Sequence, residues 1–225
     1  GKLTAIVPAV MPYDNGNLLQ FLKITVQIIG KPLGGRDMGL MIHGDLFNKL
    51  LHYKLALMNG QGINIKDRNN NKDVVGNLMV NPLKWLSVGG SFIKGKGSAV
   101  GASSIVSDIA VGENYTRNRW SAGATVETAP VSLRGEYLSG KDGKVNSDGL
   151  YAVASFHVLP KKIDLIASYD YFNGNKSLGE KQTNYIAGAQ YWFYPKCRVQ
   201  LQYTFCNVKK GEDFNLVQAQ IQVRF

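Results

Sequence analysis

The last twelve residues, FNLVQAQIQVRF, set Phe214 and Leu216, then Val217, Ala219, Ile221, Val223 and Phe225, against Gln218, Gln220, Gln222 and Arg224. An amphipathic helix would repeat its apolar residues at three- and four-residue spacing, so this is a strand with one apolar and one polar face. The same alternation runs through Val199, Leu201, Tyr203 and Phe205, and through Tyr185, Ala187, Ala189, Tyr191 and Phe193. It recurs at Ile163, Leu165, Ala167, Tyr169 and Tyr171, at Trp120, Ala122, Ala124 and Val126, and at Leu51, Tyr53, Leu55 and Leu57. Period two therefore predicts eleven strands, near 38–47, 51–58, 74–80, 85–94, 119–128, 131–139, 149–158, 163–173, 183–193, 197–207 and 214–225. A twelfth is predicted near 18–29, from Leu22, Ile24, Val26 and Ile28, while 1–17 fit no single element.

The predicted connections alternate between short and long. Residues 48–50, 81–84, 129–130, 159–162 and 194–196 form tight turns, and 59–73, 95–118, 140–148, 174–182 and 208–213 form longer polar links. A soluble sandwich has no reason to keep its short turns at one end, whereas outer-membrane barrels do. Strands of about 9–11 residues cross a bilayer when tilted, and only a closed sheet satisfies its edge hydrogen bonds in lipid. Aromatic residues gather near the strand ends: Tyr137, Tyr169, Tyr171, Tyr203 and Phe205 on the long-loop side, Trp85, Tyr191, Phe193 and Phe225 on the other. Such rings suit the two membrane interfaces. The expected fold is all-β, a transmembrane antiparallel up-and-down β-barrel forming a single domain over 1–225, and the terminal Phe225 matches the ending of many bacterial outer-membrane barrels.

Composition narrows the class further. The chain has 225 residues, 44% of them hydrophobic, and a formal charge of +10. No stretch approaches the roughly 20 apolar residues of a spanning helix, so a helical membrane protein is excluded. Cys197 and Cys206 share one predicted strand about 30 Å apart at about 3.3 Å per residue, too far for a disulfide. No leader peptide is visible at Gly1, which is compatible with a leader removed upstream. A basic balance often signals nucleic acid, yet no groove-reading helix or stacking platform is present.

By parity the polar face carries Lys23, Lys54, Arg119, Arg134, Arg198 and Arg224 against Asp45, Glu127, Glu136, Asp164 and Asp170, a wall of about +1. His43, His52 and His157 fall on the same face. A barrel phospholipase needs its Ser and His towards lipid, and an omptin-type protease needs His and Asp at the outer rim; neither placement fits, and no enzyme is expected. No His, Cys and carboxylate cluster has metal-ligand spacing, so neither metal nor cofactor is expected. Gly95-Lys96-Gly97-Ser98 lacks the upstream Gly and following helix of a phosphate loop, and Lys66–Asp73 is a solvated loop.

Residues 36–95 carry an Arg-Asp-x-Gly entry to a strand with His-Gly, then Asn-Gly-x-Gly-x-Asn, an Asn/Asp-rich loop, and Asn-Pro-x-Lys-Trp opening the next hairpin. In these features the chain resembles the phosphate-selective porin O and P family, specifically over 36–95 and more loosely to 225. The resemblance implies a sixteen-stranded, homotrimeric porin of the bacterial outer membrane, passing anions such as phosphate through a basic constriction. This chain has room for about twelve strands, so upstream strands of the family pattern are expected to lie outside it.

The expected function is passive diffusion of small hydrophilic solutes, with Lys54, Arg119, Arg134 and Arg198 contacting anions. The alternative is a structural or accessory barrel occluded by a plug or partner protein. The longest link, 95–118, holds Val100, Ile105, Val106 and Ile109 and is expected to pack, folding into the mouth or covering a neighbouring subunit. In the infolded arrangement Lys96 and Arg117 approach the pore axis.

Overall fold

The computed structural model describes residues 39–60, 69–99 and 109–223. They form eleven strands: β1 (Gly39–Leu46), β2 (Leu51–Met58), β3 (Asp73–Leu83), β4 (Leu86–Ser98), β5 (Asn114–Thr128) and β6 (Val131–Asp142), then β7 (Val145–Leu159), β8 (Ile163–Asn175), β9 (Glu180–Tyr194), β10 (Cys197–Lys209) and β11 (Phe214–Gln222). All lie in one sheet in chain order, β1 to β11, each antiparallel to the next. This is an up-and-down meander, and β1 and β11 are its edges among the described residues. The strand predicted near 18–29, with Lys23, and the chain end at Arg224 and Phe225 fall outside the described residues.

The predicted strands are present, but their outer ends run longer than the hydrophobic alternation. β5, β7 and β9 each reach 15 residues. At about 3.3 Å per residue that is about 50 Å, well beyond the apolar band of about 25 Å even at a 40° tilt. The assignment of 95–118 to one loop is corrected: Gly95 pairs with Arg117, Lys96 with Thr116 and Ser98 with Asn114, leaving 99–113 as the link. Likewise 140–148 is two strand ends around a two-residue turn at 143–144. Polar residues end the sequence signal without ending the backbone ladder, which needs only N–H and C=O groups. Gly143 and Gly179, at φ +59 and +66, supply the left-handed corners of two such outer turns.

The two faces of the sheet are inverted relative to a soluble protein. Inward positions are polar and buried, among them Ser91, Ser121, Thr125, Glu136, Asp164 and Gln190. Outward positions are apolar and exposed, including Leu40 at 72%, Val217 at 68% and Leu201 at 57%. Water would penalise such a surface, and a hydrocarbon surround removes the penalty. Rings mark the outer edge of this apolar band: Tyr169 lies 5.5 Å from Tyr185, Tyr185 6.3 Å from Phe205, and Trp120 5.6 Å from Tyr137. Trp85, Tyr191 and Phe193 stand exposed towards the short-turn edge.

Candidate pore wall

The inner face of β9, β10 and β11 is built from amides. Register places Gln190 opposite Gln200 and Gln200 opposite Gln220, with Gln202 opposite Gln218 one inward step higher and Arg198 opposite Gln222 one step lower. Arg198 donates from Nε to Gln222 at 3.0 Å and from Nη1 to Gln190 at 2.8 Å, and its guanidinium sits 5.3 Å from the Trp192 ring centroid. Two neutral amides and an aromatic face thus hold this cation. Across the concave wall stands Arg134, and together they line a cavity of about 480 Å³ with Glu127, Tyr151 and Gln200. Among the described residues Arg134 and Lys54 form no ion pair. Lys54 stands exposed between His43 and Asn77 on the wall of β1–β3.

Two carboxylate–histidine pairs face each other across short turns. Asp45 Oδ1 meets His52 Nδ1 at 2.5 Å at the β1–β2 turn, and Asp164 Oδ1 meets His157 Nδ1 at 2.6 Å at the β7–β8 turn. Asp164 also accepts from Gln190 at 2.5 Å and Trp192 at 2.9 Å, so both of its oxygens are hydrogen-bonded. Ser132 Oγ lies 3.5 Å from His157 Nε2, which gives a serine–histidine–aspartate order that parity had not shown. Acyl transfer needs preorganised N–H donors as well. Here the nearby His157 and Trp192 amides are already spent on Pro130 and Lys162 carbonyls.

The outer rim holds a different kind of arginine. Arg117 donates to the Gly60 carbonyl at 2.5 Å and to the buried Asp73 carboxylate, tying β5 to β3 and to the loop after β2. Burial alone would pull the Arg117 guanidinium down, but the Asp73 carboxylate outweighs it and raises the pKa. Arg119 donates from Nη2 to both Asp142 oxygens, at 3.0 and 2.9 Å. Tyr115, beside Arg117, has its phenol pushed by burial up to about 12. Asp148 accepts from Tyr137 at 3.2 Å and Tyr171 at 3.1 Å, and its bond to Lys176, 3.0 Å away, raises that ammonium.

The six candidates from the sequence therefore separate into three groups. Lys54, Arg134 and Arg198 face the lumen within the wall, Arg117 and Arg119 are bound to carboxylates above it, and Lys96 lies on β4. Lys96 shares the outward parity of Phe92, so its exposed side chain points away from the lumen. Asp73 and Asp142, the partners of the rim arginines, were missed because each fell at a predicted strand margin. The parity of β3 and β6, extended by one and two inward steps, is the signal that finds them. Among the described residues no group of three or more His, Cys, Asp or Glu is arranged to hold a metal. Cys197 and Cys206 are both buried on β10 and are not joined by a disulfide.

A continuous antiparallel meander, apolar outside and polar inside, with rings at its edges, defines the outer-membrane β-barrel fold. No family model and no characterised protein matches the sequence. Among solved structures, the chain is similar to the outer-membrane protein OmpT of Vibrio cholerae in its trimer form, with TM-score 0.58 and 15% identity over 84% of this chain and 61% of that one. It is similar to an anion-selective porin from Comamonas acidovorans, with TM-score 0.63 and 15% identity over 84% and 55% of the two chains. The outer-membrane channel DcaP of Acinetobacter baumannii gives TM-score 0.60 and 9% identity over 88% and 64%. At these identities the likeness is one of fold, and this chain matches 55–64% of each of those lengths.

Proposed function

We propose that this chain forms the wall of a bacterial outer-membrane porin through which small hydrophilic solutes diffuse passively, with a preference for anions such as phosphate. The observation that carries this reading is the unequal pairing of the wall charges. Asp45 and Asp164 are held by histidines and Asp170 accepts from Ser168 at 2.9 Å, which leaves Glu127 as the acid at the cavity, whereas among the described residues Lys54 and Arg134 form no ion pair. In a narrow, low-dielectric passage such cations raise the local concentration of anions. The reading assigns no chemistry and no cofactor. It includes a homotrimer and the sixteen-strand closure of the phosphate-selective porin O and P family, supported by the motifs of 36–95 and by the trimer form of the Vibrio protein. Reversal potentials in a salt gradient test it: purified protein in planar bilayers should show the sign of anion preference, and the opposite sign rejects it.

One observation favours a second reading, a barrel occluded by a plug or partner. Ala56, Met58 and Val75, with Met41 and Ile93 against them, form an apolar cluster on the inward parity of β1–β4. A water-filled wall gains nothing from such a cluster, and an inserted segment would. Well-folded protein that gives no conductance would establish this reading over the first.

A further inference from the structure

Resting on the reading of the sheet as a membrane barrel, we propose that five outward lysines form a binding belt for the phosphate groups of phosphorylated glycolipid in the outer leaflet. Between the two sets of rings, the outward positions of β4, β6 and β10, starting from Leu86, Val131 and Val199, carry no charge. Directly above the rings the pattern switches. One outward step beyond Phe92 on β4 is Lys94, in register with Asn118 and then Lys141, and Lys96 follows one step higher. Two steps beyond the Tyr169–Tyr185–Phe205 row, Lys181 pairs directly with Lys209. All five lysines are exposed.

Three features make this more than a solvated edge. First, the position is that of headgroups: rings prefer the interface, and lysine stems lie along apolar surface while their ammonium groups reach the polar layer. Second, like charges directly opposite on neighbouring strands repel, so Lys181 and Lys209 need an anion between them or an electron-rich partner. Lys181 has part of that relief from the Tyr171 ring, 4.7 Å from its Nζ. Third, two of the nearby acids are occupied. Asp148 is taken by Tyr137, Tyr171 and Lys176, and Asp213 accepts from Asn207 at 3.0 and 3.1 Å and from the Val208 amide at 2.9 Å. A belt of ammonium groups that form no ion pair among the described residues, at headgroup height, suits phosphate esters on a lipid, which bring charge and an acyl anchor together.

The full chain folded in detergent micelles, with lipid A as the probe and native mass spectrometry as the readout, tests this. Wild-type protein should retain lipid A at least about tenfold over phosphatidylcholine and over dephosphorylated lipid A, and salt near 1 M should weaken the retention. Replacing Lys94, Lys96, Lys141, Lys181 and Lys209 with Gln should lower retention by about tenfold or more, with heat-modifiable gel mobility reporting intact folding. If that variant does not fold, K94Q/K96Q/K141Q and K181Q/K209Q carry the test separately, each with a loss of roughly threefold. Unchanged retention in the variants, or equal retention of the dephosphorylated lipid, overturns the proposal. Displacement by millimolar inorganic phosphate also overturns it, because the site would then take free anions. Conductance is a separate readout: a protein that retains lipid A but conducts nothing keeps the belt and removes the pore reading.

Discussion

Arginines at two heights of the same wall do opposite things. At the rim, Arg117 and Arg119 point inward but end on Asp73 and Asp142, which are 3% and 1% exposed. Within the wall, Arg198 ends on the neutral amides of Gln190 and Gln222, and Arg134 faces the cavity without an ion pair among the described residues. A charge cancelled by a buried carboxylate contributes geometry and little outward field, whereas one such as Arg134, without an ion pair among the described residues, keeps its field. The rim arginines fasten strands and loop together, and in the proposed reading the wall cations are the ones that act on solutes. Inward position alone does not make a residue part of the selectivity apparatus.

The largest test of this contrast removes a rim arginine. Arg117→Ala leaves Asp73 buried without its partner and should cost about 3–5 kcal/mol locally, as breaking buried pairs does. Hydrogen exchange at the outer ends of β3 and β5 should accelerate accordingly, while the reversal potential stays unchanged. A selectivity change with unaltered exchange would reverse the two roles.

Alkaline pH loosens the same rim by another route. The Tyr115 phenol is raised from 10.0 to about 12 by burial, so the folded state holds its proton more tightly than the unfolded chain. This contribution is complete below pH 10 and is lost as pH rises towards 12, a difference on the order of 2–3 kcal/mol. Exchange at the β4–β5 outer hairpin should therefore quicken over that window, and Tyr115→Phe should flatten the profile there.

How legible this was in the sequence differs by level. Period two showed every strand from Gly39 to Gln222, because one face must be apolar where it meets lipid. It also placed Lys54, Arg119, Arg134 and Arg198 on one side, while Arg117 fell in the predicted loop. What it could not show was partnership across strands: Asp73 reaches Arg117 only through the accumulated registers Val74 to Lys94 and Lys94 to Asn118. The outer strand ends were lost for a related reason. In Asn114–Asn118 both faces lie above the lipid and both are polar, so alternation loses its contrast while the ladder continues. The amide array was half visible, since Gln218, Gln220 and Gln222 alternate on one strand, but Gln190 joins it only through the β9–β10 register. Lys96 was misplaced once its loop proved to be strand, and strand parity then turned it outward.

On the wall the ordering of effects should invert. Arg134→Gln, at a half-buried position, should cost within about 1 kcal/mol of stability, and Arg198→Gln, at a buried residue with two hydrogen bonds, about 1–3 kcal/mol. Each should move the reversal potential towards cations, and the pair together should lower the anion-to-cation permeability ratio roughly two- to fivefold. Wild-type ratios in both variants, measured in dilute salt, would mean that the rim rather than the wall sets selectivity.

The smallest effect, at Lys54, separates the open pore from the occluded barrel. Lys54 lies one inward step below Ala56 and therefore directly beneath the apolar cluster of Met41, Ala56, Met58, Val75 and Ile93. If water fills the lumen against β1–β3, its ammonium is bathed and screened over about 10 Å at 0.1 M salt, and Lys54→Gln should shift the reversal potential by less than either arginine change. Raising the salt to 1 M shortens that length to about 3 Å and should erase the shift. If instead a segment or partner sits on the apolar cluster, Lys54 meets no solute, and Lys54→Gln should leave the potential unchanged in dilute salt as well. A shift in dilute salt that vanishes in concentrated salt assigns this sector to the pore. No shift in either assigns it to a seal and confines permeation to the amide-lined sector of β9–β11.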